Sequence, residues 1–273
     1  MKKKRLCYVF LVVFMAITSH AYANEESQLS GNASVSFLNR YIFRGYEIGS
    51  NSAIIQPFIG ILYKGFSASV WGNIDTSEHA TQSFIPDKEG HKSFNETDLT
   101  LSYTWTINKL NLGLGYTYYA LKYNSPPGDT EEVFLSAAYD TILKPTLCVY
   151  RDITSYPGTY VSLLLSHSVN LNKEITLDIS GSLGYFSGSD DYWRTYESQT
   201  NRYTGKKYST LHDGMIKIGL TFPIVQKISM QPFLQYWFPL SADAKRSIDG
   251  KSYNPNGKLD STCVIGISLN FNF

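Results

Sequence analysis

The residues with the greatest capacity for chemistry fall at alternating positions among apolar ones. Arg40, Arg44 and Lys217 carry positive charge, and Asp98, Glu132 and Asp178 carry negative charge, with Asp213 a less secure addition. Each sits in a stretch where every second residue is apolar, so each shares a face with Ser, Thr, Asn and Gly. Opposite charges facing one enclosed space can set up a transverse field that orients and filters polar solutes. They can equally form internal ion pairs that neutralise and brace the enclosure. Trp71, Trp237, Tyr119, Tyr150, Phe58 and Phe233 fall on the same face. There they line the space as a stacking track, fill it, or mark its ends.

Catalytic constellations are sparse. His212 lies near Ser209 and Asp213, which allows a nucleophile–base pair at a rim and a lipid or peptide hydrolase as the alternative activity. No motif pins a nucleophile. His167 has outward parity at the opposite end and reads as packing. Asp190-Asp191 lies in a polar loop, where solvated charge is the plainer reading than a cation site. Asn95-Glu96-Thr97 matches a glycosylation acceptor by chance. No metal or cofactor is expected. Cys148 and Cys263 have opposite parity, which predicts small apolar fillers and no disulfide.

The elements that must position these residues are strands. From Cys263 to Phe273 every second residue is apolar: Cys263, Ile265, Ile267, Leu269, Phe271 and Phe273. Between them lie Gly266, Ser268, Asn270 and Asn272, with Val264 the exception. About twelve such segments recur, at 33–46, 52–63, 65–75, 95–107, 109–121, 130–140, 144–152, 157–169, 173–186, 210–222, 226–239 and 260–273. In a soluble sheet, a long apolar terminal strand would template aggregation. Closing the sheet and giving its apolar face to lipid removes that hazard. The predicted fold class is all-β, a transmembrane antiparallel barrel of about 12 strands.

The connections support closure. Short turns fall at Lys64-Gly65, Asn108, Thr141 to Leu143, Asn170 to Asn172 and Pro223 to Val225. Longer polar loops fall at Asp75 to Phe94, Lys122 to Asp129, Ser187 to Ser209 and Ser241 to Asp260. Alternation of this kind is expected of short periplasmic turns and long extracellular loops. Gln56-Pro57-Phe58 and Gln231-Pro232-Phe233 flank the strands that would close the barrel, and their prolines predict local bulges. The first strand fits worst. Facing Arg40 and Arg44 inward avoids a lipid-facing arginine, which costs roughly 2–4 kcal/mol at the midplane, and a bulge near Asn39 would restore the alternation.

Lys2-Lys3-Lys4-Arg5, the apolar stretch Leu6 to Ile17 and Ala21-Tyr22-Ala23 read as a signal peptide over 1–23. The barrel is then expected over 24–273, in the outer membrane of a Gram-negative cell. Losing four of the 24 basic residues and none of the 23 acidic ones leaves a net charge of −3, which argues against nucleic acid as a partner. Aromatics are 15% of the chain and Tyr leads with 21 residues, a bias that suits membrane interfaces. Mean hydropathy is slightly negative, as a polar lumen requires.

Tyr41-Ile42-Phe43-Arg44-Gly45, Gln56-Pro57, Gly65-Phe66 and Val70-Trp71-Gly72-Asn73 resemble the opening of the TorF family of porin-like barrels. Asn95 to Tyr103, Pro145-Thr146-Leu147, Tyr150-Arg151-Asp152, Tyr156-Pro157-Gly158, Ser166-His167-Ser168 and Leu211-His212-Asp213-Gly214 continue the resemblance. It implies an outer-membrane channel and supplies no substrate and no binding residues. The terminal Phe273 resembles the signal read by the barrel-assembly machinery. The expected function is passive diffusion of small hydrophilic solutes, with Arg40, Arg44, Asp178, Lys217, Asp98, Glu132, Trp71 and Trp237 lining the pore. The partners expected are outer-membrane lipids and small polar solutes, and a plugged structural or adhesive barrel is a further alternative. If Arg44 lines a pore, Arg44→Glu changes ion selectivity in planar bilayers, and unchanged reversal potentials would remove it from the pore.

Overall fold

The computed structural model describes residues 29–78, 90–122, 128–188, 194–196, 200, 202–246 and 259–273. The expected signal peptide and the Asp190-Asp191 pair lie outside the described residues. The strands are β1 (Ser30–Phe43), β2 (Tyr46–Tyr63), β3 (Phe66–Asp75), β4 (Ser93–Ile107), β5 (Leu110–Leu121), β6 (Thr130–Tyr139), β7 (Thr146–Asp152), β8 (Gly158–Asn170) and β9 (Thr176–Gly188). They continue with β10 (Arg194–Tyr196), β11 (Tyr203–Lys207), β12 (Ser209–Val225), β13 (Ile228–Pro239) and β14 (Thr262–Asn272), and a short helix, α1 (Ala242–Arg246), precedes β14.

All but β10 and β11 form one closed antiparallel barrel in the order β1-β14-β13-β12-β9-β8-β7-β6-β5-β4-β3-β2, twelve strands in all. Strands β10 and β11 pair only with each other, as a hairpin within the loop expected over Ser187 to Ser209. Closure runs through β1 and β14, from Asn32 opposite Asn272 to Leu38 opposite Gly266. The terminal strand that would have been an exposed edge is therefore paired on both sides.

Alternation along each strand sorts side chains between two environments. Leu99, Leu101, Leu114, Ile216 and Ile218 are turned outward, and Leu135 and Ile265 are 60% and 62% exposed. Ser34, Ser36, Ser69, Thr100, Ser102, Thr104, Thr117, Ser182 and Ser268 are buried on the inner wall. Two pairs of these hydroxyls bond across strands, Ser36 to Ser268 at 2.7 Å and Thr100 to Thr117 at 3.1 Å. This arrangement inverts a soluble core, since the apolar stripe faces out and the small polar stripe faces in. At the short-turn end, aromatic rings gather on the outer surface: Phe66 lies 4.5 Å from Tyr103, and Tyr103 lies 4.7 Å from Trp105.

Two-residue turns join β2 to β3 and β4 to β5, with Lys64, Gly65 and Asn108 at positive φ. Such turns match the right-handed twist of the paired strands. Cys148 is buried, Cys263 is exposed, and both are free. The expected bulges at the two prolines do not occur. Ladder pairing is missing between Ile55–Ile74 and Phe58–Trp71, and between Gly219–Phe233 and Phe222–Met230, yet it resumes in the same register. Each proline removes a donor without inserting a residue, so the sheet loses rungs and does not slip.

The outward face is open to a direct test. Leu135→Arg on β6 is expected to destabilise the folded protein in lipid vesicles by roughly 2–4 kcal/mol if the site lies near the midplane, read as a lower urea midpoint for refolded protein. A change below about 0.5 kcal/mol would place Leu135 outside the hydrocarbon.

Candidate functional site

The site begins where β1 leaves its neighbour. Pairing with β14 stops at Leu38, and the register with β2 slips between Leu38 and Arg40. Leu38 faces Ile54 while Arg40 faces Ser50, so residues 51–53 stand against Asn39 alone. The bulge expected near Asn39 is present. It bends the strand pair, and Asn51 adopts a φ of 57° within it. The Ile265 N–H that β1 no longer satisfies donates to Asn39 Oδ1 at 2.8 Å. One carboxamide thus replaces a lost rung and keeps a backbone donor from standing unpaired.

Beyond the bulge the β1–β2 hairpin is folded into the barrel. Tyr41, Ile42, Tyr46 and Ile48 are each at most 3% exposed. Ile42 packs with Met215, Trp237 and Val264. That contact accounts for Val264, the one apolar residue on the otherwise polar inner face of β14. Tyr41 packs against Trp71 with ring centroids 5.5 Å apart.

The tip of the hairpin is Arg44-Gly45. Both have positive φ, 47° and 80°, as a two-residue turn of this hand needs. Left-handed backbone costs a non-glycine residue about 1–2 kcal/mol, so the arginine is held there by its contacts. Its guanidinium donates to both carboxylate oxygens of Glu132 on β6, at 2.6 and 2.8 Å. It also lies over the rings of Phe43, Tyr150 and Tyr160, 4.6–4.7 Å from each centroid. Tyr119 donates a further bond to Glu132 at 2.8 Å. In the strand order, β6, β7 and β8 lie on the far side of the barrel from β1. The hairpin therefore reaches across the lumen and is anchored to the opposite wall.

The wall at β12 is shaped to receive it. Register with β9 slips between Leu211 and Gly214, so His212 and Asp213, which strict alternation would send to opposite faces, are both buried. His212 Nε2–H donates to the Arg44 carbonyl at 3.0 Å, which leaves Nδ1 to accept from the Tyr208 hydroxyl at 2.6 Å. Asp213 accepts from the Tyr160 hydroxyl. A side chain on Gly45 would collide with Leu259 and Asp213. His212 is therefore not at an exposed rim, as the sequence suggested: Nε2 holds the hairpin and Nδ1 is held by Tyr208. Ser209, its expected nucleophile partner, bonds instead to Tyr185 and Ser187. His167 faces outward and its Nδ1 donates to the Ile142 carbonyl at 2.9 Å.

Of the remaining candidate residues, Arg40, Asp98 and Trp71 border one space beside the tip, and Lys217 and Asp178 do not. Arg40 pairs with Glu47 at 2.7 Å within the hairpin itself. Lys217 lies 4.0 Å over the Phe233 ring. Asp178 accepts from Ser168, Thr221 and Gln231 at 2.6–2.9 Å. Trp237 is fully buried against the hairpin, and Asp98 faces inward beside Trp71 in register. Asn95 is buried in a row of side chains running from Gln56 through Asn73 and Asn95 to Glu78. Two spaces of about 50 and 90 Å³ flank the tip, the first toward Thr130 and Tyr156, the second toward Ser36 and Gln56. Sequence reasoning missed the insertion. Its trace was the poor alternation of 39–44 followed by Arg-Gly.

No family model matches the chain, and no curated protein matches it. Solved structures do. The barrel is similar to the NanC porin at 11% identity, with 88% of this chain and 98% of that one covered and a TM-score of 0.50. It is similar to the KdgM porin at 9% identity, 89% and 99% coverage and a TM-score of 0.51. It is also similar to an outer membrane channel from Pseudomonas putida F1 at 11% identity, 92% and 97% coverage and a TM-score of 0.52. At these identities the likeness is one of fold.

The anchor predicts a specific energetic pattern. Arg44→Met or Glu132→Leu alone leaves a buried charge unpaired and is expected to cost roughly 3–5 kcal/mol. The double variant should recover part of that, with a coupling above about 1 kcal/mol in urea unfolding of vesicle-bound protein. Additive losses would mean the two side chains do not meet.

Proposed function

We propose that this chain is a channel of the bacterial outer membrane, of the TorF type, that passes small hydrophilic solutes down their gradients. The observation that carries this reading is the inner wall, with its rows of serine, threonine, asparagine and glutamine interrupted by aromatic rings around the hairpin tip, inside a closed barrel whose outer wall is apolar. A lumen so lined solvates polar solutes, and the fold is shared with solved outer-membrane channels. The end with long loops faces the exterior, the end with two-residue turns faces the periplasm, residues 1–23 are removed after export, and Phe273 is read by the assembly machinery.

In this reading the β1–β2 hairpin is the constriction. Arg40, Arg44, Glu132 and Asp98 line the spaces beside it, with Trp71 and Trp237 packed at its flanks. Asp178 and Lys217 line the lumen nearer the short-turn end. Selectivity follows from how far the hairpin narrows the passage and from the charges it presents. The small spaces beside the tip favour one second reading, a barrel held closed by its own hairpin. No bond in the site favours a rim hydrolase, since both His212 nitrogens are engaged, one by the turn and one by Tyr208.

Single-channel recording separates the first two. Wild-type protein is expected to show a small conductance, and Arg44→Ala combined with Glu132→Ala to raise it by about two-fold or more as the hairpin loses its anchor. Silence in both proteins would favour the closed barrel.

A further inference from the structure

Two inward carboxylates on β4 are left over once the ion pairs of the hairpin are assigned. Arg40 is paired with Glu47 and Arg44 with Glu132. Glu96 and Asp98, two residues apart on the same face of β4, remain. Glu96 is only 5% exposed. One of its oxygens, Oε2, is buried without a hydrogen-bond partner, and so is Asp98 Oδ1. Glu96 accepts from the Tyr41 hydroxyl, yet a buried carboxylate oxygen without a partner is costly, and β4 carries two. The wall around them is aromatic. Trp71, Asp98 and Tyr119 stand side by side on β3, β4 and β5, directly opposite one another in the ladder. Tyr41, tilted against Trp71, and Tyr119 border both spaces beside the tip, while Glu96 borders the first and Asp98 and Trp71 the second.

We propose that Glu96 and Asp98 form, with Trp71, Tyr119 and Tyr41, a binding site for a small organic ammonium ion beside the hairpin. Carboxylates supply the charge the ion needs, and ring faces attract it through their quadrupoles. An anion does not suit the site, because each arginine bordering these spaces already holds a carboxylate. A multivalent metal suits it no better. Among the described residues no group of three or more His, Cys, Asp or Glu side chains is placed to hold one. The site can fill whether or not solute passes through, so binding is measured without ion flow, and a failure of conduction leaves it intact.

The test is calorimetric titration of methylammonium chloride into the full-length barrel, purified in detergent and checked for folding by its heat-modifiable mobility. Saturable binding in the millimolar range is expected, and potassium chloride at equal concentration should not displace it. Asp98→Asn should weaken binding by about ten-fold or more, and Glu96→Gln, which keeps the side-chain shape, should weaken it too and decides the matter if Asp98→Asn does not fold. No saturable binding, equal competition by potassium, or an affinity unchanged in the folded variants would overturn the proposal.

Discussion

One guanidinium, carried across the lumen on a two-residue turn and received by a carboxylate on the far wall, organises the interior of this barrel. Arg44 cannot be solvated by bulk water where it lies, so its charge must be met by the protein. Glu132 meets it with two bonds, and three aromatic rings cover the remaining surface. Oddities elsewhere become consequences of this contact. The bulge at His212-Asp213 exists where the wall must turn two polar side chains toward the tip. Gly184, opposite that bulge, has no room for a Cβ beside Asp213 and Tyr160. The left-handed backbone at Arg44 is held at its carbonyl by His212, while Glu132 holds the side chain.

A polar lumen makes such an insertion affordable. In a soluble core a hairpin carrying arginine would displace apolar packing and strand its charges. Here the inner wall already presents hydroxyls and amides in rows, so inserted polar groups find partners. The row from Gln56 to Glu78 and the three donors around Asp178 are two places where the wall satisfies its own polar groups. The apolar residues of the tip meet a local lining in turn, with Val264, Met215 and Trp237 on β14, β12 and β13. A transverse field and an internal brace were two possible uses of the charged residues. The pairings of Arg40 and Arg44 have the form of a brace.

The barrel itself was legible in the chain because its cause is local. Period-two alternation assigns each side chain to lipid or lumen, and turn chemistry such as Lys64-Gly65 closes each hairpin without reference to the rest of the fold. The inward direction of Glu132, Asp178 and Lys217 followed from parity alone, as did the opposite faces of Cys148 and Cys263, whereas that of Arg40 needed the cost of a lipid-facing arginine as well. Even the slip at Asn39 was written in the chain, as a break in alternation. What lay beyond reach was where the slipped segment went. Ile42, Arg44 and Val264 read as faults in a pattern until their partners are known, and those partners are 88 residues away for Arg44 and Glu132. Likewise His212 and Asp213 share a face only because β12 gains a residue against β9. Alternation is a property of one strand and can be read from it. Insertion of the hairpin depends on a charge, a wall and a gap in the ladder meeting across the barrel, and only the closed tertiary structure brings those three together.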